Sequence, residues 1–244
     1  MTVTLAVDGD IATLRLERPE RGNALAPDMV AALDEGFADA VAGGARLVVL
    51  RGAGKHFCTG FDLSDLDDLS EGDLLLRFVR IEELLQRVHR AGVMTLAVAT
   101  GRTWGAGADL FAACDRRLAA EDATFAFPGS GFGLVLGTAR LAGRIGNAAA
   151  RRLLLDGAPV DAATAVSLGL ADQVVDAGGI DAAIAQAAAA AARLDAETVA
   201  SLHRATRRDA QDDADLAALV RSAARPGLKQ RIIDYRARTR ASKS

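Results

Sequence analysis

Apolar and polar positions alternate at the start of the chain. Val3, Leu5 and Val7 precede Asp8-Gly9-Asp10, and Ile11, Leu14 and Leu16 follow it, a pattern that predicts a β-hairpin. From Pro27 the spacing changes: Val30, Leu33, Phe37 and Val41 recur at helical period until Gly43-Gly44 stops the helix. The short run Leu47-Val48-Val49-Leu50 then reads as a buried strand. A second helix is expected over Leu74–Arg90, with Leu75, Phe78, Val79, Ile81, Leu84, Leu85 and Val88 as its apolar side. His89 at its end reads as structural, a cation complementing the helix dipole. Between these elements, residues 64–72 are acidic and polar, either a mobile lid or a solvated loop.

The uncharged run Thr95–Ala99 predicts another strand, followed by a glycine-rich turn over Gly101–Gly107 and a buried helix reaching Cys114. Arg117–Ala120 and Thr124–Phe127 read as short strands, and Pro128–Gly133 as an irregular loop. Helices are expected over Ala139–Ile145 and Ala148–Leu155, broken at Gly146. Another spans Ala162–Leu168, capped by Asp161 and stopped by Gly169. Gln173–Val175 is a last strand, and from Ile180 onward the pattern is helical, interrupted at Pro226-Gly227. This ordering predicts an α/β fold with a helical tail.

Composition narrows the class. The 244 residues are half hydrophobic but only 4% aromatic, so the core must be built from Ala, Leu and Val. A formal net charge of −3 argues against a general nucleic-acid binder. No His, Cys or carboxylate cluster has metal spacing, and no G-x-G-x-x-G fingerprint is present. Cys58 and Cys114 lie far apart, without a secreted-scaffold pattern, and Cys58 reads as a packing residue. No signal peptide and no membrane span are expected, so the chain reads as cytoplasmic.

The candidate chemistry lies in two loops. Gly105-Ala106-Gly107-Ala108-Asp109 opens the central helix, whose free N–H groups point back at the turn. A turn so rich in Gly and Ala also suits tight helix packing. Residues Gly52–Leu63, behind the Leu47–Leu50 strand, form a second glycine-containing loop, in which His56 beside Lys55 is expected to face solvent. Two N–H groups from separate loops, converging on one oxygen, make an oxyanion hole. Four segments, Leu16–Leu25, Gly54–Leu63, Gly105–Leu110 and Gly169–Val175, together resemble the crotonase (enoyl-CoA hydratase/isomerase) superfamily, in its order and near its spacing.

That resemblance implies a spiral of repeated β-β-α units over residues 1–194 that binds acyl-CoA, and a C-terminal helical oligomerisation region over 195–244. It implies a homotrimer or hexamer, with Ile232, Ile233 and Tyr235 suited to a subunit contact, and no bound cofactor beyond the coenzyme A of the substrate. The oxyanion donors match Phe61 N–H and Ala106 N–H. Contacts to the thioester and coenzyme A match Arg18, Arg21, Asn23, Ala24, Phe61, Asp62, Leu63 and Ala106. Arg18 and Arg21 read either as partners of the coenzyme A phosphates or as an exposed pair.

Asp109 matches the first of the family's two catalytic acids, one methylene shorter than the usual glutamate, although a first-turn acid is also favoured by the dipole alone. The second acid normally follows proline; here Phe127-Pro128-Gly129 places Gly129 there, in a loop about three residues shorter than usual, and no acid occurs between Asp122 and Asp156. One carboxylate suits double-bond isomerisation of a fatty acyl-CoA better than hydration. The other reading is an acyl-CoA binding protein that lost its chemistry. The serine proteases on the same spiral are excluded, since Ala106-Gly107-Ala108-Asp109 holds no hydroxyl nucleophile.

Overall fold

The computed structural model describes residues 1–206 and 211–241. Residues 207–210 and 242–244 of the expected helical tail lie outside the described residues.

The hairpin pairs β1 (Val3–Asp8) with β2 (Ile11–Leu16) in antiparallel register, Val3 opposite Leu16. After α1 (Pro27–Ala42) the chain adds β3 (Leu47–Gly52) parallel to β2. After α2 (Glu71–His89) it adds β4 (Met94–Ala99) parallel to β3. A short strand β5 (Arg102–Trp104) and α3 (Ala106–Ala113) come next. Then follow β6 (Arg116–Ala120), β7 (Thr124–Ala126), α4 (Thr138–Ile145) and α5 (Asn147–Asp156). The order continues with β8 (Val160–Asp161), α6 (Ala162–Leu168), β9 (Gln173–Val175) and the tail helices α7 (Ile180–Ala191), α8 (Ala196–Thr206), α9 (Gln211–Ala223) and α10 (Leu228–Ala241).

The main sheet runs β1-β2-β3-β4-β6-β9, parallel from β2 onward, and a smaller sheet runs β5-β7-β8. Alternation along β3 assigns its two buried faces. Val48 and Leu50 join the large core under α1, α2 and α3, while Leu47 and Val49 join a second cluster covered by α7. The strands β2, β3, β4 and β6 are each followed by a short extended piece in the second layer and then a helix. Lone parallel bridges, Leu25 with Phe61 and Cys58 with Thr103, carry this layer between turns. That is the repeated β-β-α spiral expected from the sequence.

Local chemistry sets the boundaries that the period alone placed less well. Helix α2 starts before Leu74 because Ser70 and Asp73 form a capping box: the Ser70 Oγ accepts from Asp73 N–H at 3.1 Å and Asp73 accepts from Ser70 N–H at 2.9 Å. The turn after β4 contains β5, and Pro128–Phe132 is a short 3-10 helix rather than an irregular loop, closed by Gly133 at φ 79°. Asp161 caps α6 as expected, accepting from Thr164 N–H at 2.8 Å. The acidic segment is anchored. Leu66 is buried, Asp65 pairs with Arg77 at 2.9 Å, and Lys229 donates to the carbonyls of Asp67 and Leu69.

The tail folds back on its own chain. Leu219, Leu228 and Ile232 of α9 and α10 share a third cluster with Leu66, Leu74, Phe78 and Leu134, and Ile233 packs against it. Tyr235 lies edge-on to Phe132 at 5.6 Å. Ile232 is thus buried against this chain's own core, while Ile233 and Tyr235 are partly buried. No helix among the described residues is long and apolar enough to cross a membrane.

Candidate active site

Helix α3 is buried along its whole length, from Ala106 to Ala113. Its start requires glycine: Gly105 has φ 54° and ψ −131°, and a Cβ at Gly107 would lie 2.3 Å from the Cys58 carbonyl oxygen. Gly60, at φ 95°, faces the same start, where a Cβ would come within 2.8 Å of the Trp104 carbonyl and 3.4 Å of Ala106 N. The two glycine loops are thus packed backbone to backbone.

This contact leaves donors unused. In the bridge between Leu25 and Phe61, Leu25 N–H donates to Gly60 O and Asp62 N–H to Leu25 O, at 2.8 and 3.3 Å. Phe61 N–H points the other way and meets no backbone acceptor among the described residues. Ala106 N–H opens α3 and has no partner within the helix. Phe61 and Ala106 both line a cavity of about 110 Å³, which Asp109, Gly129, Leu136 and Tyr235 also line. The Phe61 ring stacks on Phe78 with centroids 4.4 Å apart and carries Arg77 on its other side at 4.5 Å, which fixes the loop.

Asp109 is the acid of this cavity and is 5% exposed. Burial pushes its pKa well above the usual carboxylate range; Arg140 pulls it back, and Glu82 pushes it further up. A carboxyl with raised pKa in an apolar cavity is a stronger base, able to take a proton and return it. Gly129 lines the same cavity, and no carboxylate stands in for it there. A Cβ at Gly129 would meet Leu134 at 3.8 Å, an ordinary contact, so a larger side chain has room to begin.

The other expected binding residues are placed differently. Asn23 is fully buried at φ 54°, and its amide donates to Ala53 O at 2.9 Å and His56 O at 2.7 Å while accepting from Arg18 N–H at 2.9 Å. All of this side chain's bonding runs into the protein, so Asn23 shapes the loop and does not face the cavity. The Arg18 guanidinium is 3.0 Å from the Asp62 carboxylate, an internal tie rather than one of an exposed pair. Burial opposes the Asp62 charge, but the Ser64 hydrogen bonds and Arg18 hold its pKa below the usual range. Ala24 is buried, Arg21 is exposed, and Leu63 lines the cavity.

Three histidine and cysteine expectations also acquire geometry. His89 is no cation: burial and the nearby Arg144 and Arg140 lower its pKa, so its ring is neutral beside the Ala113 carbonyl. His56 is half-buried and accepts from Arg102 N–H at 3.0 Å through Nδ1, so it braces the turn instead of facing solvent freely. Cys58 and Cys114 are buried thiols with pKa pushed up to about 12, which makes them packing residues.

Sequence reasoning missed the group behind Asp109. Glu82 of α2 and Arg140 of α4 form a fully buried bidentate pair at 2.8 and 2.6 Å, and Asp215 of α9 lies 3.6 Å from the same guanidinium. The signal was present. Glu82 falls on the apolar stripe of Phe78, Ile81 and Leu85, where a charge needs a buried partner. Among the described residues no group of His, Cys and carboxylates could hold a metal ion. A larger groove of about 1160 Å³ between α1 and α2 holds paired surface charges such as Arg80 with Glu83 at 3.0 Å, and it excludes Asp109.

Comparison with known proteins agrees with the geometry. The family model described as enoyl-CoA hydratase/isomerase matches residues 7–224. The chain is 35% identical over 167 residues to a Mycobacterium bovis protein named "Probable enoyl-CoA hydratase echA6", covering 67% of each. It is 33% identical over 177 residues to the ethylmalonyl-CoA decarboxylase of Xenopus tropicalis, covering 69% of this chain and 58% of that protein. A crystal structure from Bordetella parapertussis, named as an enoyl-CoA hydratase/isomerase, superposes with a TM-score of 0.95 at 46% identity, covering 97% of this chain and 99% of the other.

Proposed function

The chain belongs to the enoyl-CoA hydratase/isomerase family, and from that membership we propose that it isomerises the double bond of an enoyl-CoA thioester with a single carboxylate, as a cytoplasmic homotrimer or hexamer. One observation carries the reading: Asp109 shares an apolar cavity with two unpaired backbone donors, while the expected second acid is Gly129.

In this mechanism the thioester carbonyl oxygen sits between Phe61 N–H and Ala106 N–H. The Asp109 carboxylate takes a proton from the α-carbon, and the carbon–hydrogen electron pair moves into the enolate held by the two donors. Such a donor typically contributes ~3–4 kcal/mol to the transition state. The enolate collapses with migration of the double bond, and the Asp109 carboxyl returns the proton to the γ-carbon. Atoms balance without water, metal or redox cofactor. Hydration would need a second group to deliver a proton while the first activates water, and position 129 has none to offer. The remaining binding surface proposed for the thioester is Leu63 and Asp62 beside the hole, and Arg21, free at the surface, for the coenzyme A phosphates.

The second reading, an acyl-CoA binding protein without turnover, is favoured by Gly129 alone. A panel of 3-enoyl-, 2-enoyl-, dienoyl- and malonyl-type CoA thioesters, followed by mass and ultraviolet absorbance, separates these. The proposal expects conversion of a 3-enoyl thioester without change in mass. It also expects that Gly129→Glu adds water to a 2-enoyl thioester faster than wild type does. Saturable binding with no conversion of any thioester would favour the binding protein.

A further inference from the structure

The cavity holds one acid, but the volume behind it is crowded with carboxylates. Glu82 from α2 and Asp215 from α9 converge on Arg140 of α4, and Asp109 of α3 feels its charge. Glu82 is fully buried, Arg140 and Asp109 are each 5% exposed, and Asp212 on α9 is 3% exposed. Glu82 extends the cluster through Gln86, whose amide donates to it at 2.9 Å and to the Asp212 carbonyl at 3.0 Å. Arg90 pairs with the Asp212 carboxylate. Buried carboxylates persist in low dielectric only when paired or protonated. Here Arg140 contacts two at once, and its Nε and the Asp215 Oδ2 are buried without a hydrogen-bond partner among the described residues.

Helix α4 approaches Asp109 with two features. Its cap, Gly137, stands at φ 61°, and a Cβ there would lie 2.2 Å from Asp109 Oδ1, so the carboxyl rests directly on the glycine. The positive end of the α4 dipole therefore faces it. Arg140 follows within the first turn, held in place by the two-pronged contact with Glu82.

We propose that Arg140 is the positioning residue of this active site: anchored by Glu82 and Asp215 in the first turn of the helix whose cap carries Asp109, its charge sets whether that carboxyl holds its proton between turnovers. The proposal rests on the reading of Asp109 as proton carrier. Arg140 touches no substrate. It works on Asp109 in opposition to burial and to the Glu82 charge, so the carboxyl is balanced between two neighbours of opposite sign. His89 also senses Arg140 but is neutral and outside the cavity.

The balance makes opposite predictions for the two partners. Glu82→Gln removes a charge that keeps the Asp109 proton on and leaves Arg140 free to act, so the acid limb of the pH–rate profile should move to lower pH. Arg140→Gln alone would strand a buried Glu82 carboxylate and risks unfolding. The neutral double variant Glu82→Gln/Arg140→Gln avoids this, and its limb should lie above that of Glu82→Gln alone, because the guanidinium that lowers the Asp109 pKa is gone. Glu82→Gln/Arg140→Lys, which restores the positive charge, should bring the limb back below the neutral double variant.

The same carboxyl can be followed without turnover, by titrating aspartate-labelled full-length protein by carbon-13 NMR with Asp109→Asn to assign the resonance. Shifts of that resonance in the stated directions support the proposal. A resonance that stays at its wild-type midpoint in folded Glu82→Gln and in the neutral double variant would overturn it. A resonance that moves as stated while the pH–rate limb stays put would uphold the hold of Arg140 over Asp109 and remove Asp109 from the reaction.

Discussion

At the scale of single residues, the account turns on a carboxyl placed where its charge is costly. Asp109 is buried among apolar groups, and desolvation dominates its environment. The consequence for stability has a definite sign. A carboxyl whose pKa is raised on folding binds more protons in the native than in the unfolded state, so the native state loses stability as pH rises from the ordinary aspartate value toward the raised one. Asp109→Asn removes that penalty. The variant should be the more stable protein at pH 7, by ~2–4 °C in Tm for each kcal/mol relieved in a chain of this size, with the advantage vanishing in acid. Differential scanning calorimetry at pH 7 and pH 4 checks it; a lower Tm than wild type at pH 7 would show that Asp109 is a stabilising ion-pair partner of Arg140 instead. Asp109 itself was legible in the sequence because it is the only carboxyl between Arg102 and Asp115, in a segment that matches the family motif. The side-chain directions of Asn23 and Arg18 were not legible, because a short motif fixes position in the chain but not which way a side chain turns: the Asn23 amide ties three backbone groups.

At the scale of elements, period and caps predicted most helices and strands, while the spiral that joins them came from the family resemblance. The alternation in β3, the stripe of α1 and the cap of α6 all followed from local rules. What local rules did not reach was pairing across distance. The strand β5 has three residues and is defined by its partner β7, not by its own pattern. The 3-10 turn over Pro128–Phe132 is held from outside, by Tyr235 against Gly131 and by Arg231, whose Nε donates to the Phe132 carbonyl at 2.9 Å. Helix α4 shows how tight this coupling is. Gly137→Ala would put a methyl into the Asp109 carboxyl at a positive φ, and both effects act against the native site. The variant should lose at least ~10-fold in kcat, with acyl-CoA affinity less affected; isothermal calorimetry beside steady-state turnover measures both, and unchanged kcat would mean that Asp109 is not held by α4.

At the scale of the whole molecule, the tail packs on the core of its own chain. The family resemblance offered Ile232, Ile233 and Tyr235 for a subunit contact; α10 lays Ile232 into the third cluster and Tyr235 against the cavity, and leaves Ile233 and Tyr235 partly exposed. Helices sharing one chain bury such groups against α2 as readily as against a neighbour, and hydrophobic period alone cannot choose between them. The proposed trimer or hexamer has a direct readout. Light scattering at micromolar concentration should report three or six times the 25.3 kDa chain mass, and a monomer would remove the assembly from the account.

The central claim is that Asp109 alone moves the proton. Turnover of a 3-enoyl-CoA thioester by wild type and by Asp109→Asn, side by side, tests it most directly. Asparagine keeps the size of the side chain and removes the base, so kcat should fall ~10²–10⁴-fold with acyl-CoA affinity nearly unchanged. Equal turnover by the two proteins would contradict the account.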